Sequence, residues 1–399
     1  MRPPRVLRWV ALLLAAAAAL LAWQWWAGGA APDATGGAPN AAGPDGGSAA
    51  DGRSGTSPAA SAPATREQQL ALWQQRYMRA EQVYNSYRDA TRHPPGSRPI
   101  AAHPDQARPF DPVAQDEPMR DASGRPVSGV RLRTTQEKVF LGGGESAKFT
   151  VAAFDASGRP LPLVVHRAGA RSLPDSRALI TIVHADVPFN DSGTAPDDEA
   201  GDGQYSARLN PGAQGFAAHA GTIRLLVDVT AGGEPGVVAF DVVYVPEVAA
   251  EWAGVREALE DGSLNFYLGV RVKTPGRYVV AGRVQDADGV PFALLQFNDT
   301  VEAGTAEFKL SLAGVLVHDK QPRFPLRLVD VEGFLLRPDT FPDRVMLPRL
   351  HGEVHVSRRY DAARFSNEEW RSEERTRYLA EYRRDVQQAL AQLERLRQR

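Results

Sequence analysis

Hydrophobic residues follow three different periods along this 399-residue chain. From Trp9 to Ala27 they are continuous, broken only by Gln24. As a helix that run is about 28 Å long, close to the roughly 30 Å hydrocarbon core of a bilayer. Leu70, Trp73, Tyr77, Ala80, Tyr84 and Tyr87 then recur at alternating spacings of three and four. This predicts an amphipathic helix over residues 65–92, opened by a Thr65/Gln68 capping box and stopped by Pro94 and Pro95. Leu379, Tyr382, Val386, Ala389, Leu393 and Leu396 repeat the pattern within residues 365–399, behind a second capping box at Ser366 and Glu369.

Between these helices the period falls to two. Short runs rich in Val, Ile, Phe and Tyr predict strands at Val130–Arg133, Ala147–Phe154, Leu161–Val165, Ala178–His184, Gly203–Leu209, Gly221–Val229 and Gly236–Tyr244. About seven short strands in this length suit an immunoglobulin-like sandwich, so residues 128–249 read as a first β-sandwich. Leu264, Phe266, Leu268, Val270 and Val272 alternate strictly and open a second, over residues 263–357. Residues 250–262, around Trp252 and Leu259, read as a helical connector. The Pro- and His-rich stretch 93–127 reads as an extended segment draped over a neighbouring domain. The expected fold class is mainly β: two Ig-like sandwiches flanked by amphipathic helices, behind an N-terminal transmembrane helix.

A turn phrase recurs three times: Asp121-Ala-Ser-Gly-Arg-Pro126, Asp155-Ala-Ser-Gly-Arg-Pro160 and Asp286-Ala-Asp-Gly-Val-Pro291. Asp starts the turn, Gly supplies a positive φ, and Pro opens the next strand. The unequal offsets exclude a solenoid.

Composition narrows the location. Arg2, Arg5 and Arg8 precede the apolar run, and Trp9 stands at one end with Trp23, Trp25 and Trp26 at the other. The positive-inside rule places the arginines in the cytoplasm and everything after Ala27 outside it. Residues 1–27 thus read as an uncleaved anchor in a bacterial inner membrane, spanning through residues 9–27. The alternative is a signal peptide with an apolar stretch Val10–Ala22, cut near Ala27–Ala31. Either exports the rest to the periplasm or the cell exterior. Residues 28–64, nearly all Ala, Gly, Pro, Ser, Asp and Thr, cannot bury enough surface to offset their ordering entropy. They read as a flexible linker of about 33 Å root-mean-square span.

The chain has no cysteine, which excludes disulfides, thiolate zinc sites and a cysteine nucleophile. Its 46 basic and 48 acidic residues leave a net charge of −2, against a binder of nucleic acid held by phosphate neutralisation. No Gly-x-Ser-x-Gly elbow occurs, and Gly142-Gly-Gly144 leads into a strand, so it reads as a hairpin tip and not as a phosphate loop. His351-Gly-Glu-Val-His355 would place His351, Glu353 and His355 on one face of a strand, where a polar outer face and a metal are both open readings.

The most suggestive loop is Asn190-Asp-Ser-Gly-Thr-Ala-Pro-Asp-Asp-Glu-Ala-Gly-Asp-Gly-Gln-Tyr205. Asp191, Asp197, Asp198, Glu199 and Asp202 are hard oxygen ligands of the kind calcium takes, without EF-hand spacing. The bland reading is a solvated turn. The stretch Asp197-Asp-Glu-Ala-Gly-Asp-Gly-Gln-Tyr-Ser-Ala207 resembles the acidic turn of bacterial exported β-sandwich domains of the "choice-of-anchor X" type. Lys273-Thr-Pro-Gly-Arg-Tyr278 and Asp286-Ala-Asp-Gly289 also look like turns of secreted prokaryotic sandwiches. The resemblance implies an extracytoplasmic envelope protein and carries no catalytic residues.

The functional expectation is a membrane-anchored, non-enzymatic interaction or scaffold protein of the envelope. Its docking seams would be Trp73, Tyr77, Tyr84 and Tyr87 on one helix and Leu379, Tyr382, Val386 and Leu393 on the other. Those seams would meet each other, their own neighbouring domains, another envelope protein or a second copy. A glycan- or cell-wall-binding module, with structural calcium as an option and no other cofactor, is the alternative. Phe189, Tyr205 and Phe216 are its candidate aromatic platform.

Overall fold

The computed structural model describes residues 65–174 and 182–398. The expected anchor, the linker and most of the strand expected at Ala178–His184 lie outside the described residues. Among the described residues no helix is long and apolar enough to cross a membrane. The fold is mainly β, in several sheets with sandwich-like packing.

In chain order, helix α1 (Arg66–Ala90) and strand β1 (Ser97–Pro99) lead into β2 (Val113–Arg120), β3 (Pro126–Gln136), β4 (Phe140–Leu141) and β5 (Ala147–Asp155). Next come β6 (Leu163–Ser172), β7 (His184–Asp186), β8 (Tyr205–Leu209), β9 (Gly221–Ala231) and β10 (Glu234–Tyr244). Strands β11 (Ala250–Glu260), β12 (Ser263–Val272), β13 (Gly276–Gln285), β14 (Pro291–Val301) and β15 (Gly304–Leu312) precede helix α2 (Gly314–Lys320). Strands β16 (Arg327–Leu336), β17 (Arg344–Met346) and β18 (Leu350–Val356) follow, and α3 (Glu373–Gln398) is the last helix. The described residues divide into two compact units, 65–92 with 371–398, and those within 93–370.

Within the β unit, the first domain runs in the order β7-β6-β9-β10-β2-β3-β5-β8, with β4 parallel to β10. β2 and β10 share one register pair, Val237 with Arg120, so the sheet divides there into two halves. Phe149, Val151 and Leu209 of one half and Ile223, Leu225 and Phe240 of the other form one buried cluster. Alternation dictates this: in β9, Ile223, Leu225, Val227 and Val229 are buried while Arg224 and Asp228 are not.

The second domain packs β11-β12-β15 against β1-β14-β13-β16-β17, with β18 also on β16. The alternating residues of β12 meet Tyr278, Val280, Val284 and Leu328 in its core. Its edge strand comes from far upstream, because β1 pairs antiparallel with β14, Ser97 opposite Leu295. Residues 93–112 therefore belong to the second domain, and the first domain is an insertion between β1 and β11. The extended segment is draped, but on the domain that follows later in sequence. Its downstream part is already strand β2 of the first domain, which begins upstream of the expected residue 128.

That drape covers the back of the β13 sheet. Arg283 is 1% exposed. It donates to Gln106 O (2.8 Å), Gln106 Oε1 (3.1 Å), Asp330 O (3.0 Å) and Glu332 Oε1 (2.9 Å). Burial lowers its pKa, and the Glu332 charge opposes that shift.

The expected helical connector at 250–262 is instead strand β11, paired with β12. A bulge between Trp252 and Gly254 explains the misleading pattern. Trp252, Val255 and Leu259 all pack on the core, so a slipped period of two imitates a helical three-and-four spacing.

In the helical unit, the Thr65 capping box forms with both its hydrogen bonds. The start of α3 departs from the expectation. Ser372, not Ser366, accepts from the N–H three residues on, Arg375 N at 3.0 Å. Ser366 is held in the β unit, where side chains on Gly262 or Gly314 would collide with its backbone. Helices α1 and α3 run antiparallel: Arg66 donates to Leu396 O and Arg397 O at one end, and Arg375 to Thr91 Oγ1 (3.0 Å) at the other. The Arg66 contact places a cation on the C-terminal carbonyls of α3, where the helix dipole favours it.

Candidate functional site

The acidic loop is closed at its base by Asn190 and Ser206, which exchange two backbone hydrogen bonds of 3.0 and 2.9 Å. Gly193, Gly201 and Gly203 take φ angles of +67°, +74° and +79°, a backbone path that favours glycine, and their N–H groups all donate to carboxylates. Asp191 accepts from Gly201 N (2.7 Å) and Gly203 N (3.1 Å), and Asp197 from Gly193 N (2.7 Å). Asp202 accepts from Gln204 N at 2.8 Å. One oxygen from each of Asp191, Asp197 and Asp202 lies within 4.8 Å of the other two, and Asp197 is 5% exposed.

The five expected ligands therefore split. Asp198 pairs with Lys148 Nζ at 2.5 Å, and Glu199 is exposed outside the cluster. Three carboxylates fit a hard cation in kind. Calcium takes six to eight oxygens, so backbone carbonyls or waters would supply the remainder.

A second constellation joins the two β domains, and the sequence pattern gave little sign of it. Strand β4 lies along β10, and Val245 N donates to Leu141 O (3.0 Å). A side chain on Gly143 would collide with the Pro246 carbonyl, and one on Gly142 would stand 3.1 Å from Met346 O. The three-glycine tip is thus a close backbone approach. Glu145, just after it, accepts from Gly142 N (2.8 Å) and from Arg349 Nη1 with both oxygens (2.8 and 3.0 Å). Arg349 also donates to Phe140 O (3.2 Å), and Arg344 lies 4.4 Å from the Phe140 ring centroid and 4.9 Å from that of Phe334. Only the glycine run marked this place in the sequence; its partners lie some 200 residues away.

The histidine pattern does not converge. Gly352 has φ +68° and the β16–β18 register slips twice, which breaks the one-face premise. His351 lies tilted against the Phe110 ring with centroids 4.2 Å apart, Glu353 faces Arg327 at 3.6 Å, and His355 meets Glu257 at 3.2 Å. Glu257 also accepts from Arg358 N (2.8 Å) and the Tyr360 hydroxyl (3.0 Å), so this group clips the segment after β18 to β11. Among the platform candidates, Phe216 is fully buried, and Phe189 and Tyr205 pack half-buried against the first core.

The recurrent turn has one geometry. Asp121 Oδ1 accepts from Ser123 N (2.8 Å), Ser123 Oγ (2.6 Å) and Arg125 N (3.0 Å), and Asp155 repeats each bond. The serine hydroxyl, then the arginine amide, bring Asp121 down to about 2 and hold Asp155 below the ordinary carboxylate range. Asp286 accepts from Asp288 N and Val290 N in the same way.

The helical seams face each other. Trp73, Tyr77, Tyr84, Tyr87, Leu379, Tyr382 and Val386 are half-buried and Leu393 is buried. Tyr87 packs edge-on against Tyr378 (5.7 Å) and Tyr382 (5.2 Å), and Arg383 donates to the Tyr84 hydroxyl (2.9 Å).

No family model matches the chain, and no curated protein does. Among solved structures it is similar to a DUF4785 family protein of Legionella pneumophila: 14% identity, 57% of each chain covered, TM-score 0.37. A DUF3823 family protein of Bacteroides ovatus matches at 12% identity, with 50% of this chain and 93% of that one covered and a TM-score of 0.19. The adhesin InvE of Yersinia pseudotuberculosis matches at 12% identity, with 54% and 58% covered and a TM-score of 0.17. The chain thus spans just over half of the Legionella protein. Likenesses this distant carry no argument about family or function.

Proposed function

We propose that this is a membrane-anchored, extracytoplasmic scaffold or interaction protein of the bacterial envelope, built on two Ig-like sandwiches. The joint at Gly142–Glu145 and Arg349 carries the reading. An ion pair with side chains 14% and 9% exposed, beside a glycine tip seated on backbone, suits a body that holds two binding surfaces in fixed relation. The basic head and tryptophan-flanked apolar run support the anchor. Pairing of the terminal helices moves the expected docking role from their seams to the outer surfaces of helices and sandwiches. Cross-linking in intact cells tests this: the full chain is expected to give defined products that weaken in Glu145→Ala. A chain cross-linked to nothing would contradict it.

The convergence of Asp191, Asp197 and Asp202 favours a second element, a structural calcium ion in the first sandwich. Calorimetric titration is expected to show heat that Asp191→Asn removes. No heat at millimolar calcium would end the idea.

A further inference from the structure

The near-zero net charge conceals a segregation between the two units. Residues 65–92 and 371–399 carry 13 arginines against eight acidic residues, whereas 93–370 carry 29 basic against 37 acidic residues. Within the helical unit the arginines are ordered. At 100° per residue, Arg395 points in the same direction as Arg377, and Arg384 lies within 20° of it. These three residues form a line about 27 Å long on α3. The line is turned away from the Tyr382–Val386–Leu393 seam by more than a right angle, and all three side chains are exposed. Gln388 lies in the same line. Glu373 and Glu381 lie about 40° to either side of the line, and the ion pair of Arg377 with Glu373 is a long one, at 3.8 Å, so the arginines outnumber but do not exclude carboxylates on this face.

We infer that this arginine face rests on anionic phospholipid headgroups of the bilayer to which the N-terminal segment ties the chain. The inference rests on the anchor reading. The helical unit opens at Thr65; on the anchor reading, 37 residues separate it from the membrane segment, and a linker of that length would hold a basic helix within reach of the surface at high effective concentration. Guanidinium groups pair with phosphate oxygens in a bidentate way, and a juxtamembrane basic residue strengthens attachment by about fivefold each. No large apolar residue lies on this line, so the contact is electrostatic and salt-sensitive.

The absence of cysteine permits a single label at Gln388→Cys. The full chain would be placed in nanodiscs of phosphatidylcholine, with or without phosphatidylglycerol, carrying a headgroup energy-transfer acceptor. Transfer is expected to be high only with phosphatidylglycerol. It should fall to the neutral-lipid level at 0.5 M salt and in the triple variant Arg377→Gln/Arg384→Gln/Arg395→Gln, whose attachment drops about a hundredfold. Equal transfer in both lipids, or none lost in the triple variant, overturns the proposal alone. A label that instead approaches the acidic β unit of a second copy also overturns it. A chain that leaves the disc overturns the anchor reading and this proposal with it.

Discussion

The two units are held by different means. In the β unit, two clusters of buried residues fill the sandwiches, and Phe266, Phe308, Leu225 and Val227 have no exposed surface. In the helical unit, α1 buries no residue fully and α3 buries Arg375, Ala389 and Leu393, while Met78 is 61% exposed. A helix pair has one seam and cannot exclude water from both sides of it. Its aromatic residues compensate at one end, where Tyr87, Tyr378 and Tyr382 cluster and Arg375 ties Thr91 to α3. The lesson is one of divided labour: the β unit supplies stability, and the helices supply a thin, mostly solvated surface.

That contrast can be broken by substitution. Phe266→Ala is expected to cost about 3–5 kcal/mol in chemical unfolding, as large-to-small changes in filled cores do. Arg283→Ala removes the bonds that tie Gln106 to the sheet and leaves the largely buried Glu332 carboxylate without its cation, and is expected to cost about 3–5 kcal/mol, with residues 97–106 losing amide protection first. Leu393→Ala on α3 should cost about 2 kcal/mol and raise exchange in both terminal helices while leaving β9 and β12 protected. Equal exchange in all regions would show that the two units unfold as one.

The smallest effect is a pH dependence of the turns. Asp121 has a depressed pKa, near 2 against an ordinary 3.8. Its stabilising contribution is therefore fully present above the unfolded value and is lost as pH falls through about 2. Unfolding midpoints measured between pH 5 and pH 2 should fall less steeply in Asp121→Asn than in the parent chain. Parallel curves would contradict the turn geometry.

Much of this fold was legible where one local rule acted alone. The seams of α1 and α3, the alternation of β12 and the Asp-x-x-Gly turns each follow from period or turn chemistry. β11 was hidden because Ala, Glu and Leu favour helices and a bulge reset its alternation. The nesting of the first domain was hidden because Ser97 and Leu295 share no local signal. Within the acidic loop the sequence supplied all the carboxylates, but the loop's backbone path and the N–H groups of Gly193, Gly201, Gly203 and Gln204 decide which of them converge. The Glu145–Arg349 joint required knowing which chain segments meet.

The central claim is that the joint makes the two sandwiches one body. Spin labels at Ser157→Cys in the first and Val290→Cys in the second, both exposed sites in a cysteine-free chain, would report it by dipolar distance measurement. A single narrow distance that broadens in Arg349→Ala is the expected result. A broad or two-peaked distribution in the parent chain would contradict the account.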